Sequence, residues 1–201
     1  MDAFRDGDPA DTQEAIMRAT YRALLAHGYA DLTIQHIGDE FEKSKSLLYH
    51  HYDGKDELLL DFLEAVLERF EAAFPGDDAG DPVERLETVL AHGLPDAPAD
   101  EHADLRRAVV TLRAQAAHDP AYREHFARSD RVFRDRVATV VAAGVEDGTF
   151  RDVDPEAVAD LVVVASNGAL LQGVTGDGDG VGPARETLAA ALLDFLEAPD
   201  E

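Results

Sequence analysis

The residues best suited to meeting a polyanion crowd into one short stretch of this chain. Lys43, Lys45 and Lys55 are its only lysines, and the segment that holds them reads Lys43-Ser-Lys-Ser-Leu-Leu-Tyr-His-His-Tyr-Asp-Gly-Lys55. With Asp53 as its one carboxylate the segment carries +2, in a protein of formal net charge −24, so the remainder carries −26. Lysines and the hydroxyls of Ser44 and Ser46 open a predicted helix, and Tyr49, His50, His51 and Tyr52 close it. That order suits a helix end that enters a DNA groove while its flanks touch phosphates. A solvated surface helix with chance lysines is the competing reading, and the neighbouring elements have to separate the two.

Those elements read as helices throughout. Thr12 is placed to cap a helix whose apolar positions Ile16, Ala19, Ala23 and Leu24 recur at helical spacing, ending at Gly28. Thr33 caps a short helix with Ile34, Ile37 and Phe41 on one face, and Ser44 caps a second through about His50. Asp53-Gly54 breaks the chain before a long helix from Lys55 to about Phe74, whose apolar face is Leu58, Leu59, Phe62, Leu63, Val66, Leu67 and Phe70. Beyond a break at Pro75–Pro82, helices are predicted over 83–93, 101–117, 120–146, 155–173 and 183–197, with a loop at 94–100. Asp119-Pro120 and Asp154-Pro155 are the clearest start signals. Alternation with a period of two occurs nowhere. The fold class is all-α, a small N-terminal module joined through a long helix to a larger bundle.

Composition narrows the setting. Zero cysteines exclude a disulfide framework or a thiolate zinc site. No uninterrupted apolar run reaches membrane-spanning length, and the start lacks the basic and apolar regions of a signal peptide, so a cytoplasmic protein without a membrane partner is expected. Forty-two carboxylates against 18 basic residues are spread along the whole chain. That composition resembles proteins of extremely halophilic organisms, where molar salt shortens the screening length to roughly 3 Å and makes a dense carboxylate coat compatible with folding.

Three short helices, the last two separated by a tight turn, form a helix-turn-helix reader. Residues 12–63 resemble the N-terminal domain of the TetR family of transcriptional regulators, through Ile16, Ala19, Leu24, Gly28-Tyr29, Leu32-Thr33-Ile34, Ile37, Ser44-Lys45, Leu48-Tyr49-His50, Tyr52 and Lys55-Asp-Glu-Leu58. The resemblance implies a division into an acidic lead-in at 1–11, a DNA-binding domain at 12–54 and a helical effector-binding and dimerisation domain at 55–201. It also implies roles. Thr33 would meet a phosphate. Lys43 and Ser44 would lie at the DNA-facing turn, and Lys45, Ser46 and Leu47 at base edges. Tyr49, His50, His51 and Lys55 would touch the backbone, while Leu48 and Tyr52 seat the reading helix. Three residues depart from the family pattern: Gly38 in place of alanine, Glu42 in place of a turn glycine, and Lys43 in place of a buried valine. Glu42 is expected to strain a turn that favours a left-handed residue.

The same resemblance implies a small-molecule pocket and a homodimer. The pocket falls among Phe62, Phe70, Leu90, Val109, Leu112, Gln115, Phe126 and Phe133, which suits an apolar effector, although plain core packing accounts for the same residues. The dimer face falls on small and apolar stripes of the last two helices: Ala157, Leu161, Val164, Ala165, Gly168, Leu171, Leu188, Ala191, Leu192 and Phe195.

Other constellations are weaker. Thr175, Asp177, Asp179, Gly180 and Glu186 fit calcium-loop spacing, but Gly182 and Pro183 stand where such a loop needs a short strand and a helix start. His118 and His125 lack a third ligand and are expected at the surface, and His50 and His51 are expected on different faces of their helix. No nucleophile elbow or phosphate loop occurs, so neither catalysis, a metal nor a cofactor is expected. A near-palindromic duplex, a second copy and a small effector are the implied partners of a repressor. The alternative is a helical ligand-binding or protein-interaction module that no longer binds operator DNA.

Overall fold

The computed structural model describes residues 12–74, 80–93, 103–176 and 181–197. Among them are nine helices and no strand: α1 (Thr12–Asp31), α2 (Ile34–Glu40), α3 (Lys45–His51), α4 (Lys55–Ala72), α5 (Pro82–Gly93), α6 (Ala103–Gln115), α7 (Pro120–Glu146), α8 (Pro155–Thr175) and α9 (Val181–Leu196). The chain divides into two compact units, Met1–Arg69 with Asp104–Phe126, and Phe70–Ala103 with Ala127–Glu201.

In the first unit the buried faces of α1, α4 and α6 enclose one core. Ile16, Tyr21, Leu24, Leu58, Leu59, Phe62, Leu63 and Leu112 lie in it with Ile37 and Leu48 of the two short helices. The spacing i, i+3, i+4 places these side chains on one stripe per helix, and burying them is the main force that orders helices as short as α2 and α3. Gly28 breaks α1 as expected, with φ 66° and ψ 166°, but one further turn of helix follows it to Asp31. Only glycine takes that backbone conformation freely. Tyr29, just past the kink, donates its hydroxyl to Asp56 at 3.1 Å, and Tyr122 donates to the same Asp56 oxygen at 3.1 Å. The start of α4 is thereby tied to the end of α1 and to α7. Burial and the Asp56 carboxylate push both phenols up from the ordinary tyrosine value, Tyr122 well above it.

His125 corrects the sequence reading. It is 7% exposed, packed edge-on against Phe126, because α7 turns that face into the core beside Tyr122. His118 is exposed, as expected.

In the second unit Leu86, Val89 and Leu90 of α5 pack with Phe133, Val137 and Val141 of α7, Val158 and Val162 of α8, and Leu192 and Leu196 of α9. Asp154 caps α8 by accepting from Glu156 N and Ala157 N, and Arg134 pairs with Glu156 and Asp160 at 2.9 and 2.7 Å. Phe150 is buried and forms an isolated antiparallel bridge with Glu197, next to the bond from Arg151 N to Leu196 O. The last helix starts at Val181, two residues ahead of the expected Pro183. Proline at the third helical position lacks only an N–H that no helical carbonyl would receive, so Val181 and Gly182 join the first turn. By length and composition α8 is apolar enough to cross a membrane, although Val158, Ala159, Val162 and Ser166 are buried within the unit. The predicted loop at 94–100 and, within the acidic loop, Asp177, Asp179 and Gly180 lie outside the described residues.

Candidate nucleic-acid interface

The candidate reading helix sits on a simple seat. Leu48 is fully buried and Tyr52 is 6% exposed, and these two anchor α3 to the core. Tyr52 donates to Asp61 at 2.9 Å, and burial with that carboxylate pushes its phenol up to about 12. With the inner face fixed, helical geometry turns Lys45, Ser46, Tyr49 and His50 outward, and all four are exposed; Tyr49 keeps 54% of its surface. Leu47 is half-buried and packs on the first core, so it offers an edge rather than a whole side chain.

The capping residues divide. Thr33 is exposed and its Oγ1 accepts from His36 N at 3.2 Å, closing the first turn of α2. Ser44 occupies the cap position of α3 without a side-chain cap bond; its hydroxyl shares a 2.7 Å bond with that of Ser46. Lys43 is exposed and donates to Thr12 Oγ1 at 3.2 Å. Lys45 lies against α2, its ammonium bonded to Asp39 Oδ1. Lys55 is half-buried and donates to the Tyr29 carbonyl at 2.8 Å. The rings of His50 and His51, expected on different faces, lie 5.4 Å apart in an edge-on arrangement.

The turn residues behave differently from the sequence expectation. Glu42 carries no left-handed strain, because every described positive-φ residue is a glycine, and the turn runs instead through extended backbone at Phe41 and Ser44. Glu42 faces Arg22 at 3.8 Å. Gly38 is buried, and a Cβ there would meet Lys45 and Leu48 at 3.4 to 3.7 Å, ordinary contact distances, so alanine would fit as well. Asp39 is the residue that sequence reasoning missed. Its position six before Lys45, across a two-helix turn, was the available signal.

The residues read as a pocket separate between the units. Phe62, Leu112 and Phe126 are buried in the first core with Val109 packed on it, and Gln115 donates to the Thr111 carbonyl at 3.3 Å. Leu90 and Phe133 belong to the second core, where Phe70 packs on Phe133 with centroids 5.7 Å apart. Of the stripe on α8 and α9, Leu161, Val164, Leu171 and Phe195 are 55%, 70%, 52% and 47% exposed, and Ala157, Gly168 and Ala191 are exposed too. Ala165 and Leu188 are half-buried, while Leu192 is already covered by its own unit.

A short exposed helix seated behind a capped partner helix, carrying amines, hydroxyls and aromatic rings, defines a helix-turn-helix DNA-binding regulator. Residues 16–62 match the family described as bacterial regulatory proteins, tetR family, and residues 82–198 match the C-terminal domain of BetI-type transcriptional repressors. The chain belongs to the TetR family of transcription regulators, a family of regulators rather than enzymes. A TetR transcription regulator from Haloarcula marismortui is 37% identical, with 94% of this chain and 99% of that one covered at a TM-score of 0.85. A transcriptional regulator from Saccharomonospora viridis, solved in complex with choline, shares the fold at 21% identity and a TM-score of 0.73, over 91% of this chain and 94% of that one. The HTH-type transcriptional repressor AcnR of Corynebacterium diphtheriae is 24% identical over 71% of this chain and 70% of its own.

Proposed function

We propose that the protein is a homodimeric repressor that reads a near-palindromic operator with α3 of each copy and leaves it when a small, largely apolar effector binds. The observation that carries this reading is the exposed row Lys45, Ser46, Tyr49 and His50 over the buried seat Leu48 and Tyr52. Lys45 and Ser46 meet base edges with the outer part of Leu47, while Thr33, Lys43, Ser44, Tyr49, His50, His51 and Lys55 hold phosphates on either side. Residues 12–54 form the reading domain and 55–201 the effector and dimer domain.

The exposed apolar row Leu161, Val164, Leu171 and Phe195 supports the dimer, because side chains that large gain from being covered. For the apolar character of the effector, support comes from the aromatic group Phe70, Phe74 and Phe133; for its small size, from the regulator of the same fold solved with choline, itself a cation. The −24 charge supports a salt-rich cytoplasm as the working environment.

A mobility shift in molar KCl tests the reading, with the duplex upstream of the protein's own gene set against a scrambled duplex of equal length. The reading predicts a shift of the upstream duplex alone. Equal or absent shifts would favour a module that has lost operator binding.

A further inference from the structure

Lys45 lies between α3 and α2. It is the first residue of α3, yet its stem crosses back to α2: Cδ and Cγ come within 3.4 and 3.5 Å of the point where a Gly38 Cβ would stand. Its ammonium bonds Asp39 Oδ1, and that bond holds the Asp39 carboxyl below the usual carboxylate range. The two side chains are 49% and 55% exposed, so the ammonium keeps further donors open to a new partner while one of them holds Asp39.

We infer that Asp39 is a specificity-determining residue, which orients Lys45 toward a base acceptor and penalises its use on phosphates; the inference rests on the reading of α3 as the groove-facing helix. An ammonium is a compact charge on a flexible stem with three donors. Left alone it takes whichever phosphate is nearest, on any sequence. Anchored by one donor to Asp39, it points the remaining donors in fixed directions, toward the paired acceptors O6 and N7 that guanine presents in the major groove. If Lys45 abandons Asp39 for a phosphate, an unpaired carboxylate is left facing a polyanion, and the repulsion offsets the gain. Asp39 thus lowers binding to arbitrary DNA more than binding to the operator, a repulsive element of the kind that specificity needs.

The test compares wild type, Asp39→Asn, Lys45→Ala and Glu40→Gln by fluorescence anisotropy at one KCl concentration, after circular dichroism has shown equal helicity. The duplexes are a wild-type-selected operator, its single-base variants and a random sequence. Asp39→Asn is expected to tighten random-duplex binding and to cut the operator-to-random ratio by roughly tenfold, within the range of one lost base contact. The loss should fall on the same base pair at which Lys45→Ala loses preference. Glu40→Gln removes an equal charge one residue away, and it should raise both affinities alike and leave the ratio intact. If Asp39→Asn behaves like Glu40→Gln, or if Lys45→Ala keeps every base preference, the inference fails while operator reading stands. A wild type with no operator preference would overturn the reading itself, and the inference with it.

Discussion

The ammonium of Lys55 donates to the backbone carbonyl of Tyr29 at 2.8 Å and lies 4.5 Å above the centre of the same residue's ring. One side chain therefore clamps the first turn of α4 to the last turn of α1, just beyond the Gly28 kink. Lys55 also stands at the helix N-terminus expected to meet a phosphate, so its removal has two separable effects. Lys55→Ala should cost about 1–2 kcal/mol of stability, for a charged hydrogen bond and a cation–π contact that are both partly exposed. It should also weaken binding to operator and random duplex by the same factor, since a phosphate contact carries no base information. Thermal melts beside anisotropy titrations measure both. A loss confined to the operator would contradict the phosphate assignment.

Gly144 permits the close approach of Phe150. A Cβ at 144 would stand 2.1 Å from Phe150 Cδ2, and Phe150 is 3% exposed, pinned by the 2.8 Å bond from its own N–H to the Gly144 carbonyl. The ring has nowhere to move without disturbing the bridge to Glu197. Gly144→Ala should therefore destabilise the protein by about 1–3 kcal/mol, despite the better helix propensity of alanine. Gly168→Ala, at an exposed site with nothing within 4 Å, should leave the stability of one chain unchanged or slightly raised. Urea unfolding of the two variants, compared with wild type, checks the contrast.

The helical frame was readable because its punctuation is local. Thr33 caps α2 through its own hydroxyl, and Asp119-Pro120 and Asp154-Pro155 start α7 and α8 where expected. The seat of the reading helix, Leu48 and Tyr52, came from the family resemblance instead, since Tyr52 lies past the end of α3 in extended backbone, where helical spacing does not apply. What escaped was each contact between residues distant in sequence. Asp56 joins Tyr29 and Tyr122 across 27 and 66 residues, and no periodicity encodes such a partnership. The burial of His125 escaped for the same reason, because the polar face of a helix is polar only until another element covers it. Lys45 was legible as a cation at a helix start, but its attachment to Asp39 depends on how the stem turns, which its residue type does not determine.

His125 makes stability depend on pH. Burial foremost, and then the Arg113 guanidinium, hold its pKa below the ordinary histidine value of 6.5. The Glu64 carboxylate, 3.7 Å from Nδ1, pulls the other way, but it is 38% exposed and burial prevails. Since the folded state disfavours the proton and the unfolded state accepts it near pH 6.5, the unfolded chain binds more protons below that value. The stability from a neutral His125 is thus complete above about pH 6.5 and is lost as the pH falls from there through the depressed folded pKa. Urea midpoints of wild type and His125→Gln at fixed salt should show the variant losing less stability over that acid range. A variant that loses more would place His125 as a charged, paired residue.

Salt should act in two opposed ways. Each phosphate neutralised by a lysine releases a counterion, which weakens binding as salt rises, but the reader carries only three lysines per chain. The carboxylate coat repels DNA, and salt screens that repulsion. Operator affinity should therefore fall little, or rise, between low and molar KCl, while helicity increases. A steep monotonic loss of affinity at constant helicity would show that the coat has no part in tuning DNA association.

Selection from a library of random duplexes in molar KCl, followed by footprinting of the enriched sequence, decides whether the protein reads an operator. Sequence-specific reading by α3 of a dimer predicts one enriched, near-palindromic site, with two protected half-sites centred about 34–36 Å apart or at a multiple of one helical turn. Retention of duplexes without enrichment of any sequence, or protection of a single isolated half-site, would contradict it.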